Sequence, residues 1–336
     1  MGIDRRFLYV GAAMILAACM FRKLSQIIPQ DFGESIPPTA VVEALLYLQT
    51  GRHFQLPEAD PVPETEPTQA PTQPPTEAPT QAPTEAPLPR FTQEDAQLVG
   101  LRNATNYDID IPALLTQPLS WQLRQDDPTV LILHTHGSES YRNTEGYSES
   151  TGYRTLDNRY NVVSLGETLA TLLEEAGISV IHDQTRYDEV SYNGSYAKAR
   201  EQILAHLQEH PSICLILDLH RDAMTDSAGN QIGYTCQTAA GTGAKLMLVV
   251  GSDAGDLYYP NWPENLSLGI KLHAALEQTC PGLCRDLALR TGRYNQDLFP
   301  NMVLVEVGAA GNTRQEALTS IEYLAQAIVS LADGVP

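Results

Sequence analysis

Residues 129–139 read TVLILHTHGSE, an apolar, β-branched run that ends abruptly in hydroxyl, imidazole and carboxylate groups. The pattern returns at 212–222, SICLILDLHRD, and at 302–312, MVLVEVGAAGN. Short continuous apolar runs without alternation mark strands buried on both faces. Working outward, 178–182, 245–251 and 286–289 read as further strands. Segments 161–176, 195–209, 265–279 and 314–332 place apolar residues at the three-to-four spacing of amphipathic helices. Strands alternating with helices predict an α/β domain with a largely parallel, doubly wound sheet flanked by helices on both faces. At roughly 240 residues, 91–336 is long enough to bury a sizeable core.

Ligands of open α/β sheets sit beyond the carboxyl ends of the strands. Three runs carry metal-type chemistry there. The first leads into His134, His136 and Glu139, the second contains Asp218, His220, Arg221 and Asp222, and the third holds Glu306 and is followed by Asn312. Zinc takes imidazole nitrogen and carboxylate oxygen, and a catalytic site keeps one position open for water. His136, Glu139 and His220 supply three such donors. His134 is either a further ligand or a donor behind them. Glu306, embedded in an apolar strand, is placed to move a proton. Arg221 is available to hold a substrate carboxylate or an oxyanion, and Asp218 and Asp222 to orient His220 or an arginine. Taken singly, each is an ordinary polar group at a strand end; their convergence carries the reading. His182, His206, His210 and His273 read as polar or surface contacts.

The front of the chain is of another kind. Residues 1–24 carry Arg5 and Arg6, an uncharged run over 7–20, then Arg22 and Lys23. This is an export signal, read first as an uncleaved membrane anchor in which flanking cations snorkel. The alternative is lipidation of Cys19 in the lipobox-like Leu16-Ala17-Ala18-Cys19. A membrane-proximal region, 25–60, contains one amphipathic stretch at 39–50. Residues 61–90 are near-copies of TEAPTQAP, a stiff, polyproline-like linker with too little apolar surface to fold. These segments and 91–336 make four regions. With 41 acidic and 21 basic residues and a net charge of −20, the chain lacks the basic face that nucleic-acid binding requires. The 5 cysteines show no paired zinc-finger spacing.

The strings ILHTHGSESY, YNVVSLGETLATLLEEAGISVIHDQTRYD, LDLHRDA and YNQDLFPNMVLVEVGAAGNT, with the anchor and the Pro-rich spacer, resemble the stage II sporulation protein P family. The resemblance implies a zinc amidase-like fold and a peptidoglycan hydrolase of forespore engulfment. The implied activity is cleavage of the amide between N-acetylmuramic acid and L-alanine, together with endopeptidase activity on stem-peptide cross-links. A zinc carboxypeptidase or endopeptidase acting only on wall peptides, or an inactive wall-binding module, remains the alternative. The implied location is the outer side of the cell membrane at the sporulation septum. The implied partners are a lytic transglycosylase and a polytopic membrane protein. Residue by residue, the resemblance places metal ligands at His136 and His220 and the acid/base at Glu306. The related amidases carry an acidic ligand at the helix opening, where this chain has Asp157, Asn158 and Arg159. Glu139 replaces it through its spacing from His136, with Asp157 and His134 left open as the third ligand.

Overall fold

The computed structural model describes residues 91–119, 121–142, 152–255 and 257–333. The anchor, the stretch at 39–50 and the linker lie outside them. In chain order the elements are β1 (Leu101–Asn103), α1 (Ile111–Thr116), β2 (Val130–Leu133), α2 (Val163–Glu175), β3 (Val180–His182), α3 (Ser195–Glu209) and β4 (Leu215–Asp222). They continue with β5 (Thr235–Thr238), β6 (Gly241–Ala244), β7 (Leu246–Val250), α4 (Trp262–Thr279), β8 (Leu287–Leu289), β9 (Met302–Ala309) and α5 (Arg314–Asp333). Among the described residues, one 7-stranded sheet runs β1-β8-β7-β9-β4-β2-β3, and β5 and β6 form a separate hairpin.

The expected α/β class with a largely parallel sheet holds, with one seam. β7 and β9 pair antiparallel, while every other neighbouring pair in this sheet is parallel. A parallel partner would need a crossover of a dozen or more residues, usually helical. Between β4 and β7 the chain supplies only the β5–β6 hairpin, so it re-enters the sheet from the edge at which β4 left it. The strands β2, β4 and β9 therefore share one carboxyl edge, and β7 and β8 point away from it.

The helices cover the two faces unequally. On one face Leu165 and Leu169 of α2, Leu268 and Leu272 of α4, and Ile321 and Leu324 of α5 bury the alternate strand positions Ile132, Leu217, Val305 and Leu248 in the main core. On the other face α3 supplies Ala199 and Ile203, with the partly buried Leu207, against Leu131, Leu133, Ile216 and Met302. Met247, Val249 and Leu304 lie beyond it, in a small cluster of their own with Ala288 and the partly buried Tyr294. Helices flank both faces as expected, and the β7–β9 part of this face forms the floor of a cavity.

Candidate active site

His220 and Glu306 are direct register partners on the parallel strands β4 and β9, and Met247 is the partner of Glu306 on β7. Register partners project to the same face, so the two polar side chains stand together over the open floor. A cavity of about 450 Å³ is lined there by His136, Glu139, His220, Glu306 and Tyr196, among others.

β2 ends at Leu133 and residues 135–138 form a turn. This turn separates the two histidines that strand alternation would have kept on one face. His136 enters the cavity. His134 stays on the main-core face, fully buried, with Nδ1 3.1 Å from the Leu219 carbonyl and Nε2 2.9 Å from His182 Nε2. The structure thus removes His134 from the candidate ligands. Burial, reinforced by repulsion from His182, brings its pKa down to about 3. Asp157 is also apart from the cavity, in an ion pair of 2.6 Å with Arg159.

The donors that do meet are held in place by named neighbours. The Ser195 hydroxyl donates to the Tyr192 carbonyl at 2.7 Å and lies 3.1 Å from His136 Nδ1. With its hydrogen committed, that oxygen can only accept, so Nδ1 carries the proton and Nε2 is left with its lone pair. The His136 ring is stacked on Tyr192 at 3.8 Å, and the Arg154 guanidinium covers the far face of Tyr192. Asp218 accepts from the Thr135 amide and hydroxyl at 2.8 and 2.6 Å, and its Oδ1 lies 3.0 Å from His220 Nε2. That last contact is electrostatic, because its angle leaves Nε2 without a hydrogen bond. Asp218 thus lies against His220, and Asp222 pairs with an arginine, Arg285, at 2.7 Å.

Arg221 has a different role from the one its type suggested. It is buried, with Nε on the Ser140 carbonyl at 3.0 Å, Nη2 on the Tyr153 carbonyl at 2.9 Å and Nη1 3.5 Å from Glu139. Its backbone amide donates to Glu139 Oε2 at 3.1 Å. It fixes Glu139 and presents no free fork to a substrate. Burial raises the proton affinity of Glu139, but the Arg221 charge and His220 outweigh it and bring the pKa to about 2. Glu306 is the opposite case: burial, strengthened by the charges of Glu139 and Asp222 against that of His220, lifts its pKa to about 8. Its Oε2 has no hydrogen-bond partner among the described residues. Two carboxylates in one cavity are thus driven apart in proton affinity, the pattern of a fixed anion beside a proton carrier.

The donor chemistry suits zinc. His220 Nδ1 and Glu139 Oε2 are 3.3 Å apart, about the separation of two ligands each roughly 2.1 Å from a tetrahedral ion. The His136 ring flanks them, its centroid 5.3 Å from that of His220. Among the described residues no group of three or more His, Cys, Asp or Glu side chains is arranged to hold a metal ion.

Sequence reading missed Ser195, Tyr192, Tyr196, Arg154, Arg290 and Tyr294, all of which line or support the cavity. The cluster YNGSY at 192–196 and RTGRYN at 290–295 are the signals that were present, basic or aromatic residues crowded beside glycine. Asn312 is structural: its amide bridges the backbones of Ala309 and Tyr234 and the carboxylate of Glu316.

Comparison with solved structures finds the N-acetylmuramoyl-L-alanine amidase AmiC2 of Nostoc punctiforme, with 17% identity, TM-score 0.35, and coverage of 62% of this chain and 94% of that one. It also finds the CwlD amidase of Clostridioides difficile in complex with the GerS lipoprotein, with 17% identity, TM-score 0.38, and coverage of 61% and 95%. Among curated proteins, stage II sporulation protein P of Bacillus subtilis (strain 168) is 27% identical over 208 residues, 58% of this chain and 49% of that protein. The chain thus spans about half the length of the curated relative it matches. The model of the family described as Stage II sporulation protein P matches residues 49–329, a span that holds every residue of the cavity, and the chain belongs to that family.

Proposed function

We propose that the protein is a zinc-dependent peptidoglycan hydrolase that cleaves the amide between N-acetylmuramic acid and L-alanine. In this reading His136, Glu139 and His220 hold the metal and Glu306 is the catalytic acid/base. The observation that carries it is Glu306: half-buried beside His220 in strand register, with a buried carboxylate oxygen unpartnered and a proton affinity raised toward neutrality. When bound, zinc supplies a polarised carbonyl and a water of lowered pKa. Glu306 takes a proton from the attacking water and returns it to the departing amine as the C–N bond breaks, so the proton count closes. His136 presents Nε2 because Ser195 fixes the opposite nitrogen. Arg221 keeps Glu139 ionised and aimed. The Tyr196 phenol, whose ionisation is suppressed by burial, remains a donor on the cavity wall.

The same reading assigns residues 1–24 to membrane anchoring and 61–90 to a spacer that carries the domain, residues 91–336, toward the wall. Among the described residues no helix is long and apolar enough to cross a membrane. Membrane attachment outside the cytoplasm, action in forespore engulfment, and assembly with a lytic transglycosylase and a polytopic membrane protein follow from family membership, as parts of this proposal.

The test is digestion of purified peptidoglycan by the full-length chain in detergent, with and without chelator, with the released ends identified by mass spectrometry. New L-alanine amino termini beside intact muramic acid support the amidase. Cut cross-links alone move the activity to a wall peptidase. Chelator-insensitive cleavage removes the metal from the mechanism, and a Glu306→Gln chain as active as wild type removes the acid/base.

A further inference from the structure

The loop that leaves β8 holds two consecutive non-glycine residues in the left-handed region, Tyr294 at φ 52° and Asn295 at φ 58°. Each such residue costs about 1–3 kcal/mol and persists only where its surroundings over-determine it. Here they do. Asn295 donates to the Tyr196 carbonyl at 2.8 Å. The next residue, Gln296, is fully buried; it accepts from the Gly251 amide at 2.8 Å and donates to the Val249 carbonyl at 2.9 Å. The base of the loop is tied as well, the Arg290 amide donating to Val250 at 2.8 Å and its carbonyl accepting from Ser252 at 2.7 Å.

This rigid loop sets the half-buried Arg290 and Tyr294 on the wall of the cavity. The arginines around it are already engaged: Arg221 with Glu139, Arg200 with Asp297, Arg285 with Asp222, while Arg154 lies over Tyr192. Arg290 has no side-chain hydrogen bond or ion pair with any described residue. In a chain with 41 acidic and 21 basic residues, an arginine left without a carboxylate inside a concave site is a binding group in wait of an anion.

We infer that Arg290 binds a carboxylate of the peptide part of the substrate, so that the cavity selects an anionic peptide at the end opposite His136. Met247, the register partner of Glu306, and Val250, which anchors Arg290, are three residues apart on β7, about 10 Å along a strand. An extended peptide covers that distance in about three residues, which places the recognised carboxylate within three residues of the scissile amide. The inference rests on the hydrolase reading above.

The test compares a muramoyl peptide carrying free carboxylates with the same compound converted to carboxamides, using the full-length chain. Wild type is expected to show a KM roughly 10- to 100-fold lower for the acid, the loss of one charge-assisted hydrogen-bonded pair. Arg290→Met raises KM for the acid by that factor, the effect falling on KM rather than kcat, and leaves the amide unchanged; Arg290→Lys recovers part. If Arg290→Met fails to fold, the wild-type comparison and Arg290→Lys decide alone. Cleavage with equal KM for acid and amide overturns the inference and leaves the hydrolase standing. Calorimetric binding of both compounds to the Glu306→Gln chain separates the two: preference for the acid without any wild-type cleavage sinks the hydrolase and keeps Arg290. Equally tight binding of a glycan lacking peptide also overturns the inference.

Discussion

Arg221→Gln is expected to unfold the site before it can report on catalysis. Arg221 is 4% exposed, and its guanidinium reaches the carbonyls of Ser140 and Tyr153 at 3.0 and 2.9 Å and Glu139 at 3.5 Å. Removing it strands one buried and one partly buried carbonyl and an ionised, buried carboxylate. Breaking one side of a buried pair costs about 3–5 kcal/mol, and the carbonyls add to this less than additively. At about 2–4 °C per kcal/mol for a domain of this size, Tm falls by roughly 6–20 °C. Arg221→Lys keeps the charge but not the fork and is expected to fall between. The assay is thermal melting in chelator, with Glu139→Gln and the double variant completing a cycle. A coupling of about 1–3 kcal/mol between the two residues is expected. An Arg221→Gln chain that melts within about 1 °C of wild type while losing activity would refute the reasoning and return Arg221 to the substrate.

Gly166→Ala should destabilise although it sits in a helix, where the exchange ordinarily gains about 1 kcal/mol. A Cβ there comes within 2.5 Å of both His134 Nε2 and His182 Nε2, and splitting that contact in a packed core costs about 1–3 kcal/mol or more; a rise in Tm refutes it. His134 also sets a pH dependence. The unfolded chain protonates it near its ordinary 6.5, the folded chain only at about 3. Between these values the unfolded state binds more protons, so this stabilisation is complete above about 6.5 and is lost as pH falls, by up to about 1.4 kcal/mol per unit. Urea titrations from pH 7 to 4 should show a shallower decline in His134→Gln than in wild type. Gln296→Ala should cost about 2–4 kcal/mol through its unpaired partners and raise KM as Arg290→Met does, because the strained loop loses its anchor; unchanged KM in a folded variant argues against that link.

The helix over Ser195–Glu209 was legible in full from its periodicity, while α4 begins at Trp262, earlier than its apolar spacing suggested. The reason is Pro263, which marks a first turn as readily as a break. β4 shows the limit more sharply. The apolar run 212–219 suggested a strand that includes Asp218 and stops short of His220, Arg221 and Asp222, yet the strand is Leu215–Asp222 and includes all four. Polar residues belong in that strand because one of its faces looks into the cavity, a tertiary fact with no local signal. The strand-end rule singled out His136, Glu139, His220 and Glu306, which line one cavity, and also His134, which lies outside it because the turn at 135–138 breaks the alternation on which its face was judged.

The seam between β7 and β9 explains why the cavity has two chemically different ends. Had the chain crossed over after β4 in the parallel sense, β7 and β8 would deliver their following loops to the edge that already carries His136 and Glu139. Because the β5–β6 hairpin turns the chain back instead, β8 ends at the far edge, where β9 also begins, and its loop passes β7 along that edge to start β9. That loop sets Arg290 and Tyr294 at the far edge, in the cavity they share with His136, His220 and Glu139. Binding and reacting groups are thereby held apart by the sheet itself. A rigid floor of Met247, Val249 and Leu304 fixes their separation, so the distance from anchor to scissile bond is written in strand register and does not depend on a mobile loop.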